Sequence, residues 1–446
     1  MSQFQLVVIG IMMGLALIGV LLISGIIPGF KPGPGDGTPV PIVVWGAEPY
    51  EKINGLFTDI TEQNKSFFTL EYVQKNSATY ENELVDALAS GKGPNIWLLN
   101  QDFILKDKAK IVQIPFASFP ERSFKDTFIQ EGELFLSSNG IIALPFIIDP
   151  MVLYWNRDLF ANAGISKAPK TWDEFVNFAE KLTIRDKSGN ISQAGAALGD
   201  FKNIDYAEDI ISFLIMQTGN AIVDPITLRS VLGESSSNFA VNPVESAIRF
   251  FTEFSDPNKT TYSWNRSLPT SKNAFIANIL AMYFGYAGEY KEIAEKNSHL
   301  NFDVAEVPQV KDGKIHATYG KIQGLAISKS SANTDRAMMA AVALIRKDSI
   351  AKLATEMFLP PVRRDLLAEI PQDPASAIFY KSAIQSRGWL KPDPSEVTNI
   401  FRSMVEDVIT GKKKIYDAVR GVHKKLDKLL ELLQAAEKKS ELAPSI

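Results

Sequence analysis

The chain has 446 residues, 46% hydrophobic and 22% charged, with a net charge of -4. That length carries more than one hydrophobic core, and the small negative charge argues against nucleic acid as the main partner, which calls for a basic surface. There is no cysteine, so disulfides, thiolate metal sites, cysteine nucleophiles and an acylated N-terminal cysteine are all excluded.

No charged side chain precedes Lys31, and residues 6–27 are almost wholly apolar. As a helix rising about 1.5 Å per residue, that stretch crosses a bilayer. A cleaved signal peptide usually has a shorter apolar core, basic residues before it and a small-x-small cleavage site; the first two are absent here, and Ile-Ser-Gly-Ile-Ile-Pro-Gly offers only a poor site. The pattern predicts an uncleaved transmembrane anchor over residues 5–27. A proline/glycine linker follows over 28–40, with no apolar periodicity and no phosphate-loop context for its glycines.

Beyond the linker, an apolar run at 42–45 predicts a buried strand. Residues 48–63 carry Ile53, Leu56, Phe57 and Ile60 at helical spacing, and 67–73 reads as a second strand. A helix at 80–89 stops at Ser90-Gly91-Lys92-Gly93-Pro94, and residues 96–99 form a third buried strand. Strands alternating with helices imply a parallel sheet covered on both faces. Two apolar strands, 141–146 and 151–155, flank Asp149-Pro150, a pair of turn formers. Thr171 is a good N-cap with Glu174 three residues on, which predicts a helix over 172–182 with Trp172 as a structural residue. A turn is expected at 186–190. Helices are expected at 205–217, 243–254, 271–277 and 334–345, with strands at 279–284, 302–307 and 324–328. Near the C-terminus, Ile415, Val419, Val422, Leu426, Leu429 and Leu433 lie at spacings of four and three. They predict a terminal helix packed on its own lobe with a solvated, lysine-rich face.

Several segments occur together in a characteristic order. They include Gly140-Ile141-Ile142-Ala143-Leu144-Pro145, Leu153-Tyr154-Trp155-Asn156-Arg157-Asp158-Leu159-Phe160 and Pro169-Lys170-Thr171-Trp172-Asp173-Glu174-Phe175. Gly324-Leu325-Ala326-Ile327-Ser328-Lys329 and Leu359-Pro360-Pro361-Val362-Arg363 complete the series. The set resembles the family 1 extracellular solute-binding proteins, the capture subunits of ABC importers for sugars and related solutes. Asn95 stands where that family usually has an aspartate, and Gly285-Tyr286-Ala287-Gly288-Glu289-Tyr290 replaces its glycine-tryptophan loop.

The resemblance implies an α/β fold of two hinged lobes, each with a mostly parallel sheet flanked by helices, of the type II periplasmic-binding-protein-like kind, preceded by one N-terminal transmembrane helix. Lobe 1 is expected over 41–147 and 322–357, and lobe 2 over 148–321 and 358–440. The chain crosses between them near 146–149, near 322–325 and again near Leu359. The implied protein is held at the cell membrane with its soluble part outside the cytoplasm, takes a saccharide and passes it to permease subunits, and acts as no enzyme.

Ligands of such folds sit between the lobes at the carboxyl ends of strands. Sugars need ring faces for stacking and planar polar groups for their hydroxyls. Trp45 and Glu48 follow the first strand, and Asn100 and Gln101 the third. Asp149 lies at the first crossing. Tyr286 follows a strand of lobe 2. Tyr319, Lys321 and Gln323 precede the second crossing, Arg363 follows the third, and Trp389 sits in a loop-like Ser-Arg-Gly-Trp context. For each the competing role is packing in a core, a turn or an ion pair.

No cofactor or metal is predicted. His299, His316 and His423 lie far apart, and no P-loop, Gly-x-Ser-x-Gly or HExxH motif occurs. The same fold could instead take ferric ion through Tyr286, Tyr290 and Tyr319, a polyamine, or a phosphorylated polyol through Lys321 and Arg363. A glycan hydrolase, supported only by the carboxylates, and a signalling receptor are the readings of another class.

Overall fold

A computed structural model describes residues 39–233 and 242–442. The expected anchor at 5–27 lies outside these, and among the described residues no helix is long and apolar enough to cross a membrane.

Strand β1 (Val40–Gly46) pairs in parallel with both β2 (Phe68–Gln74) and β3 (Ile96–Asn100). Between them run α1 (Tyr50–Asn64) and α2 (Tyr80–Ala89). The buried face of α1 consists of Ile53, Leu56, Phe57 and Ile60, the four residues its spacing singled out. Ile96, Trp97, Leu98 and Leu99 are all buried, as a strand covered on both faces requires. The Asn95 side chain ties this region together: its Oδ1 accepts from the Val43 N–H at 2.9 Å and its Nδ2 donates to the Ser331 hydroxyl at 2.8 Å.

The largest departure from the sequence reading is β4 (Leu144–Asn156), one strand of 13 residues running straight through Asp149-Pro150. Its first half pairs antiparallel with β8 (Thr318–Ile327), from Leu144 opposite Leu325 to Pro150 opposite Gly320. From Met151 onward it instead pairs with β6 (Leu280–Tyr286), and from Leu153 onward with β7 (Phe302–Ala305) on the other side, antiparallel to both. Pro150 is thus the last residue of β4 paired with β8, and it has no strand partner on its other side. A missing N–H is tolerated there, so the dipeptide makes no turn. β5 (Ile191–Ala196) pairs in parallel with β6 and completes the second half with the two-residue edge strand Ile184–Arg185.

One mixed sheet therefore runs through the molecule in the order β2-β1-β3-β8-β4-β6-β5. This corrects the expectation of two mostly parallel sheets. The two crossing strands run in opposite directions and pair with each other, which fuses the halves and makes the central ladders antiparallel. β8 is also longer than its apolar C-terminal part implied, because it takes in Thr318, Tyr319, Gly320 and Lys321.

In the second half, α3 (Arg157–Asn162) follows β4 directly, and α4 (Trp172–Leu182) begins at Thr171, whose hydroxyl accepts from the Glu174 N–H at 3.3 Å. Glu174 in turn accepts from the Lys170 N–H at 2.7 Å. Trp172 is structural: its ring meets Phe175, Phe213, Phe250 and Phe284, and its indole N–H donates to Gln217. α5 (Ala207–Gln217) is buried on nearly every face. α6 (Pro243–Glu253) packs on it. Near the C-terminus come α7 (Pro394–Ile409) and α8 (Ile415–Leu442). Val419, Val422 and Leu426 of α8 are buried against α7 and α6, as the stripe predicted.

Candidate functional site

The parallel strands β1 and β3 end on the same side, facing the second half. A cavity of about 450 Å³ opens there. Its walls include Glu48 just past β1, Asn100 at the end of β3 and Gln323 of β8, three of the residues expected to meet ligand. Tyr80 and Glu81 of α2, Phe103 and Lys106 add to them, and Ser395 at the start of α7 closes the opposite side.

The polar groups are held in place. Gln323 donates its amide to Glu48 Oε1 at 2.6 Å. The Tyr72 hydroxyl donates to the Glu48 carbonyl at 2.8 Å. Burial raises the Glu48 carboxyl above its usual pKa, and the Gln323 hydrogen bond only partly offsets this. Asn100 accepts the Asp102 N–H at 2.9 Å, which fixes its side chain at the rim. The Tyr80 hydroxyl donates to the carbonyls of Trp45 and Leu98, so its ring forms a rigid wall. Glu81 is pushed up to about 7, by burial first and then by the charge of Asp107.

Asp149 sits in the crossing strand and accepts the Gly288 N–H at 2.9 Å. Burial lifts its carboxyl to about 7 against the pull of that bond and of Lys321, and Glu289 and Glu48 push it further. It lies in the strand that crosses between the halves and is tied to the loop after β6.

The floor between the halves is a knot of charge. Lys391, almost wholly buried, lies 3.2 Å from Asp102 of the first half. It also lies 2.7 Å from Glu208 and 3.7 Å from Asp209 at the start of α5. Desolvation works against its ammonium, yet these acids hold its pKa well above the usual value. The Thr398 hydroxyl donates to Glu208 and the Tyr286 hydroxyl to Asp209 at 2.7 Å. Lys321 lies over the Tyr286 ring, 4.0 Å from its centroid.

The other expected residues are placed as follows. Gln101 is buried, donating to the Gly320 carbonyl and accepting the Ile322 N–H, so it clamps β8. Tyr286 and Tyr319 are buried in the floor, and the Tyr319 hydroxyl has no hydrogen-bond partner among the described residues. Trp389 is buried, donating to the Ser212 hydroxyl at 3.2 Å and stacking on Phe401. Trp45 lies outside the cavity walls, with the Lys75 ammonium 3.6 Å from its ring centroid. Arg363 forms a two-pronged pair with Asp365 and donates to the Ile345 carbonyl, also away from the cavity. Tyr290 packs with Phe302, Phe358 and Phe379, so the three tyrosines considered for iron do not converge. Among the described residues no group of three histidines, cysteines, aspartates or glutamates is arranged to hold a metal ion.

Sequence reasoning missed Tyr80, Glu81, Phe103, Lys106 and Ser395, and Lys391 with its partners Asp102, Glu208 and Asp209. One clue was present: a helix apolar on all sides, as 207–217 is, must be buried, and Glu208 and Asp209 in its first turn must then be paired. A second cavity of about 690 Å³ lies beyond the short helix at Ile104–Asp107, bounded by Leu134, Leu136, Leu228 and Leu390, and none of the expected residues lines it.

Two sheet halves sharing a pair of crossing strands, with a polar cavity at the strand ends, define an α/β fold of the periplasmic-binding-protein-like kind built on a mixed sheet. The chain belongs to the bacterial extracellular solute-binding protein family, whose pattern matches residues 55–378. A putative binding protein of Brucella abortus is 20% identical over 78% of this chain and 82% of its own length. The galactooligosaccharide-binding protein of Bacillus subtilis is 21% identical over 83% of this chain and 85% of its own. Among solved structures, the cyclic alpha-maltosyl-1,6-maltose binding protein of Arthrobacter globiformis superposes with a TM-score of 0.71 at 13% identity, covering 88% of this chain and 99% of that one. At that identity the likeness shows the fold.

Proposed function

We propose that this protein captures an oligosaccharide in the cavity between its halves and delivers it to an ABC importer from outside the cytoplasm, held at the membrane by its N-terminal segment. The observation that carries the reading is the cavity itself. Its volume of about 450 Å³ falls within the roughly 300–1,000 Å³ of small-molecule sites. Its walls combine amides and carboxyls, which pair with hydroxyls, with the ring of Phe103, which offers an apolar face. The relatives named for galactooligosaccharide and for a cyclic maltose derivative support the ligand class. Glu48, Asn100 and Gln323 are the proposed first contacts. Asp149 and the Lys391 knot shape the hinge on which closure turns.

A thermal-shift screen of the protein against mono- and oligosaccharides, polyols and their phosphates tests the reading. A ligand at one hundred times its dissociation constant stabilises the fold by about 2.7 kcal/mol. A shift with oligosaccharides is expected; shifts with phosphorylated polyols alone would contradict the assignment.

A further inference from the structure

The cavity walls carry an uneven charge. Glu48 and Glu81 both line it, against Lys106 as the one basic side chain in the lining. Neither carboxyl is in an ion pair among the described residues. Glu48 receives only the neutral amide of Gln323, and Glu81 leaves its Oε2 buried with no hydrogen-bond partner. Behind Glu81 stands Asp107, fully buried, whose Oδ1 is bound by Lys110 while Oδ2 has no hydrogen-bond partner. On the hinge side, Asp149 feels the charge of Glu48.

A desolvated carboxyl without an ion-pair contact is costly, and the protein leaves two of them facing the space a ligand would fill, Glu81 being offset only in part by the charges of Lys106 and Lys110. Hydroxyl groups would satisfy them in part. A protonated amine would do so more fully, because a charge-assisted N–H···O bond is about twice as strong as a neutral one. Lys106 sets a limit on this excess: one ammonium group, not several, restores neutrality to a wall of two acids and one base. A polyamine would overshoot that balance, and a phosphorylated ligand would worsen it.

We infer that the preferred ligand is a saccharide carrying a free amino group, with its ammonium placed between Glu48 and Glu81 and its hydroxyls on Asn100, Gln323 and Ser395. The inference rests on the oligosaccharide reading and narrows it from neutral sugars to amino sugars. The raised pKa values of Glu48 and Glu81 accord with it, since each carboxyl gains a partner for its charged form when the amine arrives.

The test is calorimetric titration near pH 7 with three probes of equal length: a glucose oligomer in which one unit is glucosamine (the glucosamine oligomer), its N-acetylated form and an all-glucose oligomer. The glucosamine oligomer is expected to bind about tenfold tighter than either neutral probe. Glu48→Gln and Glu81→Gln should each weaken the glucosamine oligomer more than the neutral probes and so reduce that preference toward unity. Thermal melting of both variants confirms that they fold, and Glu81→Gln stands alone if Glu48→Gln does not. Equal or weaker binding of the glucosamine oligomer would overturn this inference and leave the oligosaccharide reading intact. Failure of all three probes, and of every other saccharide, would overturn both. A preference that survives in both variants would place the amine elsewhere and overturn the assignment to these carboxyls.

Discussion

The cavity wall and the cleft floor use the same residue types to opposite ends. In the floor, Lys391 meets Asp102, Glu208 and Asp209 at 2.7–3.7 Å, and each acid at the start of α5 has a further hydroxyl donor. In the wall, Glu48 and Glu81 have between them one neutral amide. Charges that are fully partnered by the protein fix how the halves meet. Charges that are left short of partners are available to a solute. The contrast separates residues whose loss should cost stability from those whose loss should cost affinity.

The largest effect should come from the floor. Lys391→Met leaves three acids without their common cation and should destabilise the protein by about 3–5 kcal/mol in urea unfolding, more than it changes the affinity of whatever saccharide remains bound. An effect confined to affinity would break the distinction. On the wall, Asn100→Ala should weaken saccharide binding about tenfold in calorimetry. Its cost in stability should be only about 1 kcal/mol, the worth of a lost cap.

Asp149 stands between the two regions and should show in pH dependence. Its carboxyl titrates near 7 in the folded protein, against 3.8 for an ordinary aspartate. The folded state therefore holds a proton that the unfolded state has released, so stability falls as pH rises from about 4 to about 7 through this group. Asp149→Asn keeps an acceptor for the Gly288 N–H and removes the titration. Denaturation at pH 5 and pH 8 should show a smaller loss in the variant than in the parent; an equal loss would mean that Asp149 is not the group responsible. The smallest effect belongs to Arg363→Ala. With its guanidinium on Asp365 and the Ile345 carbonyl, saccharide affinity should stay within twofold of the parent value, about 0.4 kcal/mol.

Much of the fold was legible because each element announced itself by its own period. Ile53, Leu56, Phe57 and Ile60 marked α1, and Thr171 with Glu174 marked the start of α4. β4 was read as two strands because Asp149-Pro150 is locally a turn former. Only the pairing of β4 with β8 on one side makes that proline harmless. The N-terminal part of β8 was passed over because Thr318, Gly320 and Lys321 carry no apolar alternation. Glu48, Asn100 and Gln323 were within reach, since ends of strands near a crossing are where ligands sit. Lys391 was not. Its partners Asp102, Glu208 and Asp209 lie far from it in sequence, and charged residues in isolation read as solvated surface.

Hydrogen–deuterium exchange with and without the best oligosaccharide from the screen tests the central claim most directly. The account predicts added protection in the first turn of α2, at residues 100–106 and at the start of α7 around Ser395. Protection concentrated instead at residues 134–142 and 387–390, around the second cavity, would contradict it.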